Sequence, residues 1–391
     1  GTDGKTTTVH LTAHLLETAG RPAGFLSSVA FRTGADAVLN ATHMTTLEAP
    51  EIQEHLAGMV DAGMEYAVVE ASSHGLALHR VDECDFDVAV FTTLSSDHLD
   101  FHRTLDEYRD AKGRLFRMLD ESPPKEGVPK VAVLNADDPA SDYFRTLTSA
   151  PALTYAIEAT ADVRAESLRA EGGRSRFRLL TPIGSGDAAL PLPGRFNVYN
   201  ALAAAAVAVS QGLTVDRIVR GLETFPGVPG RLQPIDAGQP FRVLVDIAST
   251  PEALRRVLEV LRPETAGRLW AVFGCAGERD PGRRDGMGRV AGELVGFAVL
   301  TNEDPRREDP DAIIEAIAAG LREAGRQEGR DFARVPERRS ALRYAFEHAK
   351  PGDTVLLAGK GTEPSIVVGQ EHIPWDEASV ARELLEELGG R

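Results

Sequence analysis

The sequence predicts an α/β protein of two domains, a larger one on a mostly parallel sheet and a smaller one of doubly wound, Rossmann-like type. Three observations carry this. At 391 residues the chain is too long for one ordinary core. Short Val-rich apolar runs that end in polar or acidic residues alternate with helix-length stretches, as in sheets buried on both faces. A Pro/Gly-rich stretch, "FPGVPGRLQP" (Phe225 to Pro234), interrupts the alternation, which then restarts.

The elements follow in order. "GTDGKTTT" opens the chain, and "TVHLTAHLLETAG" after it reads as a helix stopped by Gly20, with Pro22 beyond. "YAVVEASS", "DVAVFTTLSS" and "KVAVLNADD" read as buried strands, with the helix "DEYRDAKGRLFRML" among them. "RAESLRAEGGRSRFRLLTP" reads as an antiparallel hairpin turning at Gly172-Gly173, and "NALAAAAVAVSQG" as an Ala-rich helix ending at Gly212. In the second domain "FRVLVDIAS", "RLWAVFGCAG", "FAVLTNED" and "TVLLAGKG" are strands. "PEALRRVLEVLR" (Pro251 in its first turn), "PDAIIEAIAAGLREAG" and "SALRYAFEHAK" are helices. The boundaries expected are 1–230 and 231–391. Sites in such sheets lie beyond the carboxyl ends of the strands, so a cleft between the domains is expected.

Composition narrows the function. A formal net charge of -16 argues against a nucleic-acid or anionic-membrane surface, yet leaves local phosphate binding open. Two distant cysteines, Cys84 and Cys275, exclude a disulfide framework and fit a reducing cytoplasm. No apolar run reaches the ~18 residues of a membrane span, and the N-terminus lacks a signal-peptide core. A monomer acting on small molecules is expected.

"GTDGKTTT" supplies the Gly-Lys-Thr end of a phosphate-binding loop. Backbone N–H groups and the following helix N-terminus would hold phosphate oxygens, Lys5 would reach the β/γ-phosphates, and the Thr6 hydroxyl would bind Mg²⁺. The blander reading is a Gly-containing turn before a helix. The loop's first glycine would fall before residue 1, so the sequence reads as the core of a longer chain. Glu70, at the end of a Val-rich strand, is a natural Mg²⁺ ligand beside such a loop. Asp97, His98, Asp100 and His102 end another strand, although His98 and His102 read equally as an i, i+4 pair on a helix surface. Lys112 reads from composition alone as a solvated helix lysine.

Together, "GTDGKTTT", "EASSHGLALHRV", "SSDHLDFH", "YRDAKGRLF", "GRFNVYNALAA", "PGR", "VDIASTPEAL", "VFGCAGERD", "EDPRREDP" and "AGKGTE" resemble, in order and spacing, the Mur ligase family, most closely its MurE branch. The likeness covers the central, ATP-binding domain and the C-terminal, amino-acid-binding domain, without the family's N-terminal UDP-binding domain. It implies an ATP-dependent carboxylate–amine ligase working through an acyl phosphate, with meso-diaminopimelate or lysine joined to UDP-MurNAc-L-Ala-D-Glu in peptidoglycan precursor synthesis. By resemblance, Gly1, Thr2, Asp3, Gly4, Lys5, Thr6 and Thr7 form the ATP phosphate loop. Thr6 and Glu70 hold one Mg²⁺, and His98 a second. Lys112 falls on the family's carbamylated lysine, so the resemblance reverses its bland reading. Asn197, Asn200, Arg231 and Asp246 match nucleotide contacts. Thr45, Thr46, Ser72 and Arg80 match contacts to the carboxylate acceptor. Arg279, Asp304, Arg306, Gly359 and Glu363 match the pocket of the incoming amino acid, where an Arg pair suits a carboxylate and a Glu a distal ammonium. A surface ion pair is the local alternative.

Departures from the family pattern sit at the site. Asp3 and Asp304 take Asn positions, Met44 another Asn position, and Leu78 a Gln position. Thr93 and Ser96 replace Asn and Arg. Ile247 and Ser249 replace Tyr and His, and Thr362 replaces His. No histidine lies between His102 and His348. Metal and phosphate chemistry are kept, whereas adenosine and acceptor recognition are altered. A paralogue acting on another carboxylate carrier, or a non-catalytic nucleotide-binding descendant, stays open at this stage.

Overall fold

Residues apolar on both faces form the buried parallel strands Val131–Asn135, Leu269–Phe273 and Thr354–Ala358, whereas Tyr66–Val69, expected to be buried, is a half-buried border strand with Ala67 exposed. The computed structural model describes residues 1–42, 44–94, 104–171 and 173–389. The chain divides into two units, Gly1–Pro226 and Gly227–Arg391.

Among the described residues the first unit carries two sheets. One runs in the order Ala37–Leu39, Ala30–Arg32, Ala23–Leu26, Tyr66–Val69, with the last pair parallel and the others antiparallel. The other runs Gly184–Leu190, Arg174–Thr181, Val163–Glu171, Ala152–Ala156, Val131–Asn135, Val88–Val90. Its pairs are parallel from Val88–Val90 to Val163–Glu171 and antiparallel beyond. The expected hairpin is thus part of a three-stranded antiparallel margin, and Ala23–Leu39 adds a second margin that the sequence reading left unassigned. Tyr66–Val69 and Val88–Val90 border their sheets, and a cavity of about 620 Å³ lies along both. Val68, Val90 and Phe91 line it, and it reaches Gly1, Glu70 and Lys112.

The helix Lys5–Thr18 is buried through Val9, Leu11, Leu15 and Leu16. It packs on Arg195–Ser210, whose run Ala201–Ala208 is buried throughout. Small side chains there let the two helix backbones approach closely, which explains why an Ala-rich stretch serves as core.

The second unit has one six-stranded sheet, in the order Gln233–Ile235, Arg242–Asp246, Thr354–Ala358, Leu269–Phe273, Phe297–Leu300, Phe332–Arg334. All its pairs are parallel except the first. Leu269–Phe273 and Thr354–Ala358 are buried at every residue, as a sheet covered on both faces requires. The helix Pro251–Glu264 turns Leu254, Leu258 and Leu261 inward, with Thr250 capping it by accepting the Ala253 N–H. A small hairpin, Ser365–Val368 with Glu371–Pro374, follows.

Helices Gly282–Leu294 and Pro310–Glu323 touch backbone to backbone. A Cβ on Gly288 would stand 2.0 Å from the Ile317 carbonyl oxygen, and one on Gly320 2.0 Å from that of Asp285. Neither neighbour can yield without moving a helix. Gly320→Val is expected to lower unfolding stability by about 2 kcal/mol or more, read by urea titration. A loss below about 0.5 kcal/mol would remove this close-approach account.

Candidate functional site

The phosphate loop is held from three sides. Thr2 N–H donates to Thr93 O at 2.6 Å, the Thr92 hydroxyl donates to Asp3 O at 2.6 Å, and Thr2 Oγ1 lies 3.1 Å from the Tyr108 hydroxyl. Gly4 adopts φ +79°, and a Cβ there would fall 2.2 Å from Asn200 Oδ1, so only glycine fits. The helix Lys5–Thr18 begins at this loop with no side-chain cap and no acidic residue in its first turn. Its N–H groups and dipole are thereby left for an anion. Lys5 Nζ folds back onto Thr2 O at 2.7 Å. Asp3 is exposed, and Asn200 donates to Asn197 Oδ1 at 3.2 Å on the buried first turns of Arg195–Ser210.

Glu70 is 3 % exposed. Its Oε1 accepts from the Thr6 hydroxyl at 3.1 Å and its Oε2 from Ser28 N–H at 2.9 Å. Among the described residues it has no ion pair. A buried carboxylate beside a hydroxyl is a hard-oxygen donor set that fits Mg²⁺. No group of three or more His, Cys, Asp and Glu stands together among the described residues.

The acceptor candidates continue from the same carboxylate. Thr46 Oγ1 donates to Glu70 O at 2.9 Å and lies 3.0 Å from Ser72 Oγ, and Arg80 Nη1 donates to Thr46 O at 3.0 Å. Thr45 is half-buried beside them, and Leu78 is 50 % exposed. Lys112 is not the solvated lysine that composition suggested. It is 5 % exposed, its Nζ donates to Gly1 O at 3.0 Å, and it lies over the Tyr108 ring at 4.2 Å. Its place in the helix Leu105–Glu121 turns it inward, a fact that sequence composition does not contain. His98, with Ser96, Asp97, Asp100 and His102, lies outside the described residues.

In the second unit a cavity of about 160 Å³ opens at the strands' carboxyl ends. Arg279, Arg306, Asp304 and Glu363 line it, as does Glu303, which the sequence reading passed over. Gly359, at φ +102°, closes against Glu303: a Cβ there would lie 2.8 Å from Glu303 Oε2. Asp304 Oδ1 accepts from the fully buried Lys360 at 2.8 Å and from Val367 N–H at 2.9 Å. Its charge is therefore matched within the protein, and an Asp at the family's Asn position leaves no bare anion. Lys360 also donates to Glu363 at 2.6 Å. Two groups remain for a ligand. Glu303 Oε2 and Arg306 Nε are buried with no partner among the described residues, and neither Arg279 nor Arg306 has an ion pair there. Burial raises the Glu303 carboxyl to about 7, with Glu363 and Asp304 adding to the rise and Arg338 and Lys360 opposing it. Asp246 accepts from Leu232 and Ala248 N–H, and Arg231 is exposed; both belong to this unit, not to the unit carrying the phosphate loop. Burial raises the Asp246 carboxyl, with the Arg231 charge opposing.

Comparison with known proteins agrees with this geometry. Residues 1–208 match the family description "Mur ligase middle domain" and residues 230–361 match "Mur ligase, glutamate ligase domain". The chain belongs to the Mur ligase family. Members are ATP-dependent amide-bond ligases that use Mg²⁺, and this chain is such an enzyme. It is 48 % identical to a UDP-N-acetylmuramyl-tripeptide synthetase of Roseiflexus sp. (strain RS-1), over 100 % of this chain and 78 % of that protein. It is 41 % identical to a UDP-N-acetylmuramoyl-L-alanyl-D-glutamate–2,6-diaminopimelate ligase of Geobacillus kaustophilus (strain HTA426), again over 100 % and 78 %. A solved structure of a ligase with that same name superposes with a TM-score of 0.75 at 34 % identity, over 100 % of this chain and 78 % of that one. No described helix of this Mur ligase is long and apolar enough to cross a membrane.

Glu303 gives a pH test. Unfolded, its carboxyl ionises near 4.5, and folded near 7. The folded state therefore binds the extra proton, and stability is lost as pH rises from 4.5 to 7. Glu303→Gln should gain stability relative to the parent across that window, by on the order of 3 kcal/mol at pH 8. Melting temperatures at pH 5 and 8 check this; a parent–variant gap that does not change with pH would refute it.

Proposed function

We propose that the chain joins the amine of a diamino acid, meso-diaminopimelate or lysine, to the free glutamyl carboxylate of UDP-MurNAc-L-Ala-D-Glu. The observation that carries the reading is Glu70. Its carboxylate meets the phosphate-loop hydroxyl of Thr6 while its own carbonyl anchors Thr46, so one residue links the ATP side to the acceptor side.

The roles follow from the chemistry. Loop N–H groups from Gly1 to Thr7 and the helix N-terminus hold the phosphates, and Lys5 leaves Thr2 O for the β/γ-phosphates. Asn197 and Asn200 support the loop, and Arg231 and Asp246 contact the nucleotide. Thr6 and Glu70 would hold Mg²⁺, which would supply screening of the phosphate charge. Thr45, Thr46, Ser72 and Arg80 orient the acceptor carboxylate, which takes the γ-phosphoryl group to give an acyl phosphate. The amine then attacks, and the tetrahedral adduct collapses with loss of phosphate. Arg279 and Arg306 hold the amino acid's carboxylate, and Glu303 and Glu363 its ammonium; Gly359 lets the chain pass close to both. Asp304, matched by Lys360, shapes the pocket without repelling that carboxylate.

Lys112 is proposed to carry a CO₂-derived carbamate that, with His98, serves a second Mg²⁺. Its place supports this reading, because the buried Lys112 nitrogen stands against Gly1 O at the phosphate loop.

The decisive assay is ATP-dependent phosphate release with UDP-MurNAc-L-Ala-D-Glu and a panel of diamino acids. Turnover is expected with one of them; none with any, while ATP still binds, would sink the reading. Lys112→Ala should cut ligation by at least about 100-fold while nucleotide affinity, by fluorescent-nucleotide titration, stays within about threefold. Equal loss of both would assign Lys112 to nucleotide binding instead.

A further inference from the structure

Among the described residues the second unit buries one arginine completely, and the reaction above gives it no role. Arg338 opens the helix Arg338–His348 and is 1 % exposed. Its Nε and Nη2 donate to Glu377 Oε2 and Oε1 at 2.8 and 2.7 Å, a two-pronged pair. Trp375 Nε1 holds the same carboxylate at 2.6 Å. The remaining donors reach two backbone carbonyls: Nη2 to Ala358 O at 3.0 Å and Nη1 to Asn302 O at 3.2 Å.

The identity of those carbonyls matters. Asn302 directly precedes Glu303, and Ala358 directly precedes Gly359. The strands they follow, Phe297–Leu300 and Thr354–Ala358, are not hydrogen-bonded to each other, since Leu269–Phe273 lies between them. Sheet pairing therefore sets the gap between their ends only through Leu269–Phe273, and Arg338 ties both ends directly. Stability alone does not explain an ionic device here, because a buried pair replaced by well-packed apolar side chains is often as stable or more so. A planar guanidinium can serve a carboxylate and two carbonyls at once; an ammonium on a flexible stem cannot hold that fork.

We propose that Arg338, oriented by Glu377, is a positioning residue for the amino-acid pocket, setting the gap between Glu303 and Gly359 and keeping a positive charge behind Glu303. This rests on the reading of that pocket as the site of the incoming amine. The groups facing Glu303 are Arg338 from the helix, Lys360 and Glu363 from the segment after Thr354–Ala358, its neighbour Asp304, and Cys275 after Leu269–Phe273. Burial pushes the Cys275 thiol up to about 12, so it stays neutral. Arg338 and Lys360 are the cations that oppose the rise of Glu303.

Two variants of the full chain separate geometry from charge. Arg338→Met with Glu377→Met removes both, with apolar side chains in place of the pair. It should keep its melting temperature within a few degrees and its KM for ATP within about twofold, and raise the KM for the amino acid by about tenfold or more. The acid-side fall of kcat/KM for the amino acid should move to higher pH, because Glu303 loses the cation that favours its ionised form. Arg338→Lys keeps the charge and loses the fork. It should raise the same KM with the pH profile left in place, and it decides the matter alone if the double variant does not fold. An unchanged amino-acid KM and pH profile in a folded variant, or an equal rise in the KM for ATP, would overturn the inference. A parent chain that turns over no amino acid would overturn the pocket reading itself, and this inference with it.

Discussion

The buried carboxylate of Glu70 is the interaction on which the first unit's chemistry depends. A carboxylate at 3 % exposure is costly unless its oxygens are satisfied, and here neutral donors satisfy them. That arrangement leaves the charge itself unmatched among the described residues. It also forces convergence. The Thr6 hydroxyl, the Ser28 amide and the Thr46 hydroxyl all come to one residue, drawing in the loop, the Ala23–Ala30 segment and the cluster of Ser72 and Arg80. Glu70 follows a half-buried border strand, Tyr66–Val69, so its own burial comes from the loop, the Ser28 segment and the Thr46 cluster packed round it.

The second unit solves a different electrostatic problem. It gathers Glu303, Asp304 and Glu363 in one pocket, and the anions are not equivalent. Lys360 takes up Asp304 and meets Glu363 through Oε2 alone, so Glu363 still faces the pocket. Glu303 keeps one oxygen orphaned and is pushed toward neutrality. Similar residue types therefore divide into a structural set and a set available to a ligand. Fully buried Lys360 and Arg338 enforce the division from behind the pocket.

Much of this was legible in the sequence. Strand ends carrying "VVE" and "LTNED", the Gly-Lys-Thr loop and the Pro/Gly interruption depend on local chemistry, and local chemistry is what a sequence displays. Lys112 was misread from composition because burial of one helix position depends on what packs against it, and only the resemblance pointed inward. Glu303 was missed although the same signal that flagged Glu70, an acid closing an apolar strand, was present; the neighbouring Asp304 drew attention instead. The Arg338–Glu377 pair joins residues 39 apart across two helices and is invisible to any local pattern. The Ala23–Leu39 meander was overlooked because Gly, Ser and polar residues break it into short pieces with no Val-rich run, and Ala37–Leu39 is exposed throughout.

The cavity beside Tyr66–Val69 and Val88–Val90 also bears on how the phosphate loop keeps its shape. Each border strand pairs on one side only, so backbone donors and acceptors line the opening together with apolar side chains. An extended chain is the backbone shape that can engage two such borders at once. Whatever fills this opening packs against Gly1, Glu70 and Lys112, so the packing there and the geometry of the phosphate loop are set together.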